Sequence, residues 1–173
     1  MNLLLVIPAV LATTGVIGGH FLEPPASPPP GHLAIGVGRF DAIDNDEQQP
    51  ATDLRLEYRF AHSLYSHGAV RVLPFVGLEA TSDRAAFGLA GLIAEVCYGP
   101  LTLSPGLAVG AYDDGDGRKL GATTEFRSQF ELGYAFAGGH RVAAALSHIS
   151  NADLGDENPG VEVISLYYFY PLR

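Results

Sequence analysis

Tryptophan is absent from this 173-residue chain, cysteine and methionine occur once each, and Lys and Arg together number 10 against 19 Asp and Glu. Each scarcity excludes something. The lone Cys97 rules out an internal disulfide framework and offers none of the paired spacings of a zinc site. A formal net charge of −9 leaves no basic stripe for a phosphate backbone, so nucleic acid is excluded as a partner. After the first twenty residues no apolar run is long enough for a membrane-spanning helix, so a membrane location requires a barrel. What the chain does have is a 47% hydrophobic composition with only 17% charged residues, more apolar than the surface of a soluble enzyme requires. The length suits one domain with a sizeable core.

The opening MNLLLVIPAVLATTGVIGG is continuously apolar and ends in small residues around Gly18 and Gly19, the pattern of a secretory signal peptide, although no Lys or Arg precedes it. Residues 1–20 are therefore expected to be the export signal and residues 21–31, containing EPPASPPPG, a proline-rich linker. Residues 32–173 then divide into short alternating runs separated by Gly, Pro, Asp and Asn clusters, the pattern of strands and turns. Eight strands are expected, at about 32–41, 51–60, 69–81, 85–98, 101–112, 122–136, 140–150 and 161–171.

In the second run Asp53, Arg55, Glu57 and Arg59 share one face, and Leu54, Leu56, Tyr58 and Phe60 the other. In the sixth, Glu125, Arg127, Gln129 and Glu131 interleave with Phe126, Phe130, Leu132 and Tyr134. Such strands fit a soluble barrel with its apolar side in, or a membrane barrel with its apolar side out. The export signal, the even number of strands and the aromatic last run, VEVISLYYFYPL, favour an eight-stranded antiparallel transmembrane β-barrel. Arg55 with Glu57, and Arg127 with Glu131, are the charges expected to pair in its narrow lumen.

The stretch SHISNADLGDENPGVE, from Ser147 to Glu162, gathers histidine, serine, two asparagines and acids. In RVAAALSHIS the apolar parity runs Val142, Ala144, Leu146 and continues to His148 and Ser150. Those two residues are thus expected side by side on the outer surface, about 6.5–7 Å apart at their backbones. Glu162 opens the next strand, with Ile164, Leu166, Tyr168 and Tyr170 in its parity, and an antiparallel hairpin returns it beside His148. These are the parts of a serine hydrolase: Ser150 as nucleophile, His148 as base and then acid, Glu162 orienting the imidazole. Asn158 or loop backbone N–H groups are candidate oxyanion donors, and Asn151 a supporting residue. The competing reading is a polar strand end and turn, for which the same residue types are ordinary. A hydrolytic trio facing lipid would suit an ester whose acyl chains already lie in the bilayer.

From FRSQFELGYAF through HRVAAALSHISNADLGDENPGVEVISLYYFYPL the chain resembles the PagL-type lipid A 3-O-deacylases, an acyloxyacyl hydrolase-like family of outer-membrane barrels. The shared pattern is H-x-S-N-A, then N-x-G-x-E, then a strand ending in Pro-Leu, with PFVGLEA at Pro74 to Ala80 a looser match. The resemblance implies an eight-stranded barrel in the bacterial outer membrane, whose His, Ser and Glu triad removes the 3-position acyl chain from lipid A of lipopolysaccharide with no metal or other cofactor. Carried over by position, the triad is His148, Ser150 and Glu162, with Asn158 as oxyanion candidate and Asn151 in support. Two departures stand out: Asp153 occupies the position three after the serine where the family has glycine, and the chain ends in Arg173 after Pro-Leu. The implied partners are lipid A and outer-membrane lipids, and a homodimer is left open. A non-catalytic structural barrel and a soluble lipocalin-like lipid-binding barrel are the alternatives.

Elsewhere the sequence is less informative. DDGDG at Asp113 to Gly117 reads as an exposed turn, since it lacks the twelfth-position glutamate and helices of a calcium hand. GVG at Gly36 to Gly38 lies within a strand and opens no helix, which excludes a dinucleotide site. His62 and His67, in the loop AHSLYSHG, offer a metal-binding pair, but a solvated turn is the favoured reading.

Overall fold

The two-residue period of the chain becomes a closed sheet in the computed structural model, which describes residues 30–43 and 50–172. The expected export signal and nearly all of the proline-rich linker lie outside the described residues. The strands are β1 (Gly31–Phe40), β2 (Ala51–Arg59), β3 (Tyr65–His67), β4 (Val70–Thr81), β5 (Ala86–Tyr98), β6 (Leu101–Asp113), β7 (Thr124–Ala135), β8 (Arg141–Ser150) and β9 (Val161–Leu172). All pairings are antiparallel; β1 pairs with β9, and β2 with β4, so the sheet has no open edge. The short β3 pairs with the start of β4, where it prolongs the line of β2 past a bend. It was not expected from the sequence, and it leaves eight staves. The other strands fall within two residues of their expected bounds.

The alternation resolves with the apolar face outward. Leu54 is 59% exposed, Leu78 64%, Leu132 57% and Leu166 61%, while Arg55, Glu57, Arg59, Arg127 and Glu131 are all at 2% or less. A water-soluble barrel would be turned the other way, so this polarity requires lipid outside. The aromatics of β9 divide by the same parity: Tyr168 and Tyr170 stand exposed on the outer face, and Tyr167 and Phe169 fill the lumen.

Inside, guanidinium and carboxylate groups pair across the barrel. Arg59 donates to Glu57 at 2.9 Å and grips Glu131, and Arg127 donates to Glu57 at 2.5 Å and to Glu79. Arg55 pairs with Asp53 and, at 3.3 Å, with Glu79, and donates to Ser147, Tyr167 and Gln129. Arg141 and Arg71 share Glu95, each at 2.7 Å. The expected partnerships of Arg55 with Glu57 and of Arg127 with Glu131 are therefore corrected. Closure brings strands on opposite sides of the lumen within reach, so Glu57 is taken by Arg59 of its own strand and Arg127 from across the barrel, and Glu131 is taken by Arg59 from across the barrel.

At the end carrying the β6–β7 and β8–β9 loops, Phe40, Phe87, Tyr112, Leu120, Ile149 and Val161 form part of a buried apolar plug. Ile149 and Val161, 0% and 1% exposed, pin the inward sides of β8 and β9, so the neighbouring residues of both strands are held facing out.

Breaking the network should be costly, because a buried ion left without its partner is worse than no ion at all. Arg127→Ala, which leaves Glu57 and Glu79 short of a cation, is expected to destabilise the barrel by about 3–5 kcal/mol. A urea titration read by heat-modifiable gel mobility measures this; an unchanged midpoint would show that the lumen network contributes nothing net.

Candidate active site

His148, Ser150 and Glu162 all take the outward parity read from the sequence, and all three are half-buried. In the β8–β9 ladder His148 lies directly opposite Glu162. His148 Nδ1 and Glu162 Oε1 are 3.1 Å apart. A carboxylate can only accept, so Nδ1 carries a proton, and in the neutral ring that tautomer leaves the lone pair on Nε2. Ser150 is two residues along from His148 on the same face; among the described residues its hydroxyl makes no hydrogen bond, so its link to the imidazole is open. Side chains can close that gap, since hydrogen bonds of this kind commonly tighten only with substrate bound.

Gly160 shapes the trio, and β7 supplies its neighbours. Gly160 has φ +65°, and a Cβ built on it would lie 2.8 Å from His148 Cε1 and 3.3 Å from Nε2. Only glycine leaves the ring its seat there and takes the left-handed turn without strain. Ser128 is opposite His148 on β7, and Phe126 is opposite Ser150. Sequence reasoning missed the role of Gly160, which was visible only as the glycine of N-x-G-x-E, and the position of Ser128 beside His148, which required the β7–β8 register.

The loop that joins β8 to β9 is built around Asn151, which is fully buried. Its Nδ2 donates to the carbonyls of Leu120 at 2.9 Å and Glu157 at 2.7 Å, and its Oδ1 accepts from the Asp153 N–H at 3.0 Å. Its own backbone N–H donates to Asn158 Oδ1 at 3.1 Å. Asn158 Nδ2 in turn donates to Asp153 Oδ1 at 2.9 Å, which leaves one amide hydrogen of Asn158 for another acceptor. Asp153 has φ +64° and Ala152 +55°, so the aspartate adopts the left-handed conformation that glycine takes most easily. The Asp153 N–H is committed to Asn151 and so is not a free backbone donor in this arrangement. Among the described residues no group of three or more His, Cys, Asp or Glu side chains is arranged to hold a metal ion.

The model of the family described as lipid A 3-O-deacylase (PagL) matches residues 82–171, just over half of the chain. The chain belongs to this family. The lipid A deacylase PagL of Pseudomonas aeruginosa is 34% identical over 73 residues, 40% of this chain and 42% of that protein. That of Bordetella bronchiseptica is 30% identical over 53 residues, 31% of this chain and 30% of that protein. The chain thus matches less than half the length of either curated relative. Among solved structures, the crystal structure of the outer membrane enzyme PagL superposes with a TM-score of 0.62 at 22% identity, covering 82% of this chain and 99% of that one. A de novo designed transmembrane β-barrel gives 0.56 at 14% identity, covering 83% and 97%. Both show the fold: an eight-stave transmembrane barrel.

Asn151 should behave as the keystone of the loop. Asn151→Ala leaves two carbonyls and one N–H without their partner, and is expected to expose residues 151–160 to protease while the barrel stays resistant. Limited proteolysis followed by mass spectrometry gives the answer, and a loop as resistant as wild type would contradict this role.

Proposed function

We propose that the chain is an outer-membrane serine esterase that removes the ester-linked 3-O acyl chain from lipid A. The observation that carries this reading is the His148–Glu162 hydrogen bond on the lipid-facing surface, with Ser150 next along the same face. The family membership supports the reaction class, and the apolar outer wall supports a substrate delivered from the bilayer.

In this reading Ser150 Oγ attacks the ester carbonyl while His148 Nε2 takes the hydroxyl proton, and Glu162 stabilises the imidazolium that forms. Collapse of the tetrahedral intermediate breaks the bond to the sugar oxygen, which leaves with the proton from His148. Water, activated by the same imidazole, then attacks the acyl-serine; the fatty acid departs and Ser150 regains its hydrogen. The uncommitted amide hydrogen of Asn158 serves the developing oxyanion, and Asn151 holds that carboxamide in place through its backbone N–H. The fold supplies orientation: inward packing of Ile149 and Val161 sets the faces of β8 and β9, and the empty space at Gly160 seats the ring.

Mass spectra of lipid A from cells making the wild-type protein should show the loss of one hydroxyacyl group. Ser150→Ala, folded by the heat-modifiable mobility criterion, should produce no such loss. Intact lipid A in the presence of well-folded wild-type protein would overturn the reading. Purified Ser150→Ala and His148→Ala are each expected to fall by at least about 10³-fold in kcat, as groups acting as one unit do.

Gly160 offers an independent check on the geometry. Gly160→Ala adds a single methyl that collides with the imidazole, so hydrolysis should drop about ten-fold or more while the barrel still folds. Equal rates for Gly160→Ala and wild type would mean the ring does not work from this position.

A further inference from the structure

The acidity of the chain raises a question that the proposed function leaves open: how a protein of net charge −9 holds a phosphorylated glycolipid. The answer lies in the few cations that the fold leaves unspent. Of the 10 basic residues, Arg55, Arg59, Arg71, Arg127 and Arg141 are committed to carboxylates in the lumen. At the loop end, Arg84 is paired with Asp116, and Arg118 with Asp41 at 2.8 Å. Arg173 lies outside the described residues. Arg39 and Lys119 remain; both are exposed, and neither makes an ion pair or hydrogen bond among the described residues.

These two residues stand on either flank of the trio. Arg39 projects outward from β1, opposite Ile164 of β9, two residues further along β9 than Glu162. Two strand spacings separate β1 from β8, and the row of Arg39 meets β8 at Leu146, so its backbone is about 12 Å across the outer surface from that of His148 and about 16 Å from that of Ser150. It is the only Lys or Arg on the outward face of the described strands. A lone guanidinium among lipid-facing side chains is unfavourable unless its head reaches the interface and finds an anion. Lys119 lies on the strap leading into β7, the other neighbour of β8, and immediately precedes Leu120, whose carbonyl holds Asn151. The β8–β9 loop between them carries the exposed acids Asp153, Asp156 and Glu157. An anion approaching this rim is therefore repelled except at two points.

We propose that Arg39 and Lys119 form a two-point anchor for the phosphate groups of a bisphosphorylated glycolipid, and that this anchor sets which ester lies over Ser150. The proposal rests on the lipid A reading and names the feature of the substrate that the site recognises. One cation engages each phosphate, so the sugar that bridges them is held across the outer ends of β7, β8, β9 and β1, with the acyl chains running down the apolar wall. The acidic β8–β9 loop between the two points selects against other orientations by repulsion.

The test measures binding and hydrolysis separately, on the full-length protein in detergent micelles. Binding is measured with the Ser150→Ala variant and with lipid A in bisphosphorylated, each monophosphorylated and fully dephosphorylated forms. Arg39→Gln and Lys119→Gln, added singly, are each expected to weaken binding of the bisphosphorylated lipid about five-fold, the ~1 kcal/mol that one basic residue gives at an anionic lipid surface. Each should become indifferent to removal of one phosphate and remain sensitive to removal of the other, and neither should alter binding of the dephosphorylated lipid. In enzyme with Ser150 intact, KM should rise by the same factors. Equal binding of all lipid forms by the parent protein, or an equal loss on the dephosphorylated lipid, would overturn the anchor. Displacement of the lipid by inorganic phosphate at equal concentration would also overturn it, by assigning the cations to free phosphate. Absence of hydrolysis on every lipid would instead count against the esterase, because the binding arm reads the anchor without it.

Discussion

A closed sheet in lipid permits one arrangement of polar groups, and the rest of this molecule depends on it. Every backbone N–H and C=O must be paired within the barrel, and ionised side chains away from the interfaces must find their partners in the lumen. Because side chains alternate strictly, a one-residue slip in any ladder would carry Arg59 or Glu131 into hydrocarbon and Leu54 or Leu132 into the charge network. The register is thus fixed by a penalty far larger than any local preference. The same register places His148 opposite Glu162, so the geometry of the trio is inherited from the barrel rather than built by the loop.

Against that rule the outer faces of β7 to β9 carry an exception. Ser128, His148, Ser150 and Glu162 are polar residues on the lipid side, gathered where the strands meet the β8–β9 loop. Their position near the strand ends limits the cost, since the price of polar substitution on a barrel's outer face falls toward the interface. Partial burial and the His148–Glu162 hydrogen bond reduce it further. A polar island at such a place is poorly explained by folding, which would be served better by leucine, and is what the proposed esterase requires.

Parity made much of this legible in advance. The outward placement of His148, Ser150 and Glu162 follows from counting residues along RVAAALSHIS and VEVISLYYFYPL, and the hairpin between them brings Glu162 back to His148. What parity cannot convey is distance around the barrel. Which carboxylate answers Arg55 or Arg127 depends on closure and stagger, which are properties of all eight staves together, and so the partners expected along single strands were wrong. The position of Ser128 beside His148 was hidden for the same reason, since it is set by the β7–β8 register. Gly160 was visible as a letter in a motif, but its function is an absence of atoms, and that becomes apparent only when the imidazole is in place.

Asp153 shows how a departure from the family pattern can be absorbed. Glycine at this position supplies the left-handed backbone at no cost, whereas aspartate pays a modest strain, being among the few residues that tolerate φ > 0. In exchange its carboxylate accepts from Asn158 Nδ2 and fixes the carboxamide from one side while the Asn151 N–H fixes it from the other. A charge-assisted hydrogen bond of this kind orients the amide more firmly than water would. Under the proposed mechanism the same carboxylate opposes the negative charge that develops on the substrate oxygen, so orientation and repulsion act in opposite directions at one residue. Orientation is present before substrate arrives and repulsion grows only in the transition state. The balance between them bears on kcat rather than on the folding of the loop, which Asn151 already secures through the Leu120 and Glu157 carbonyls.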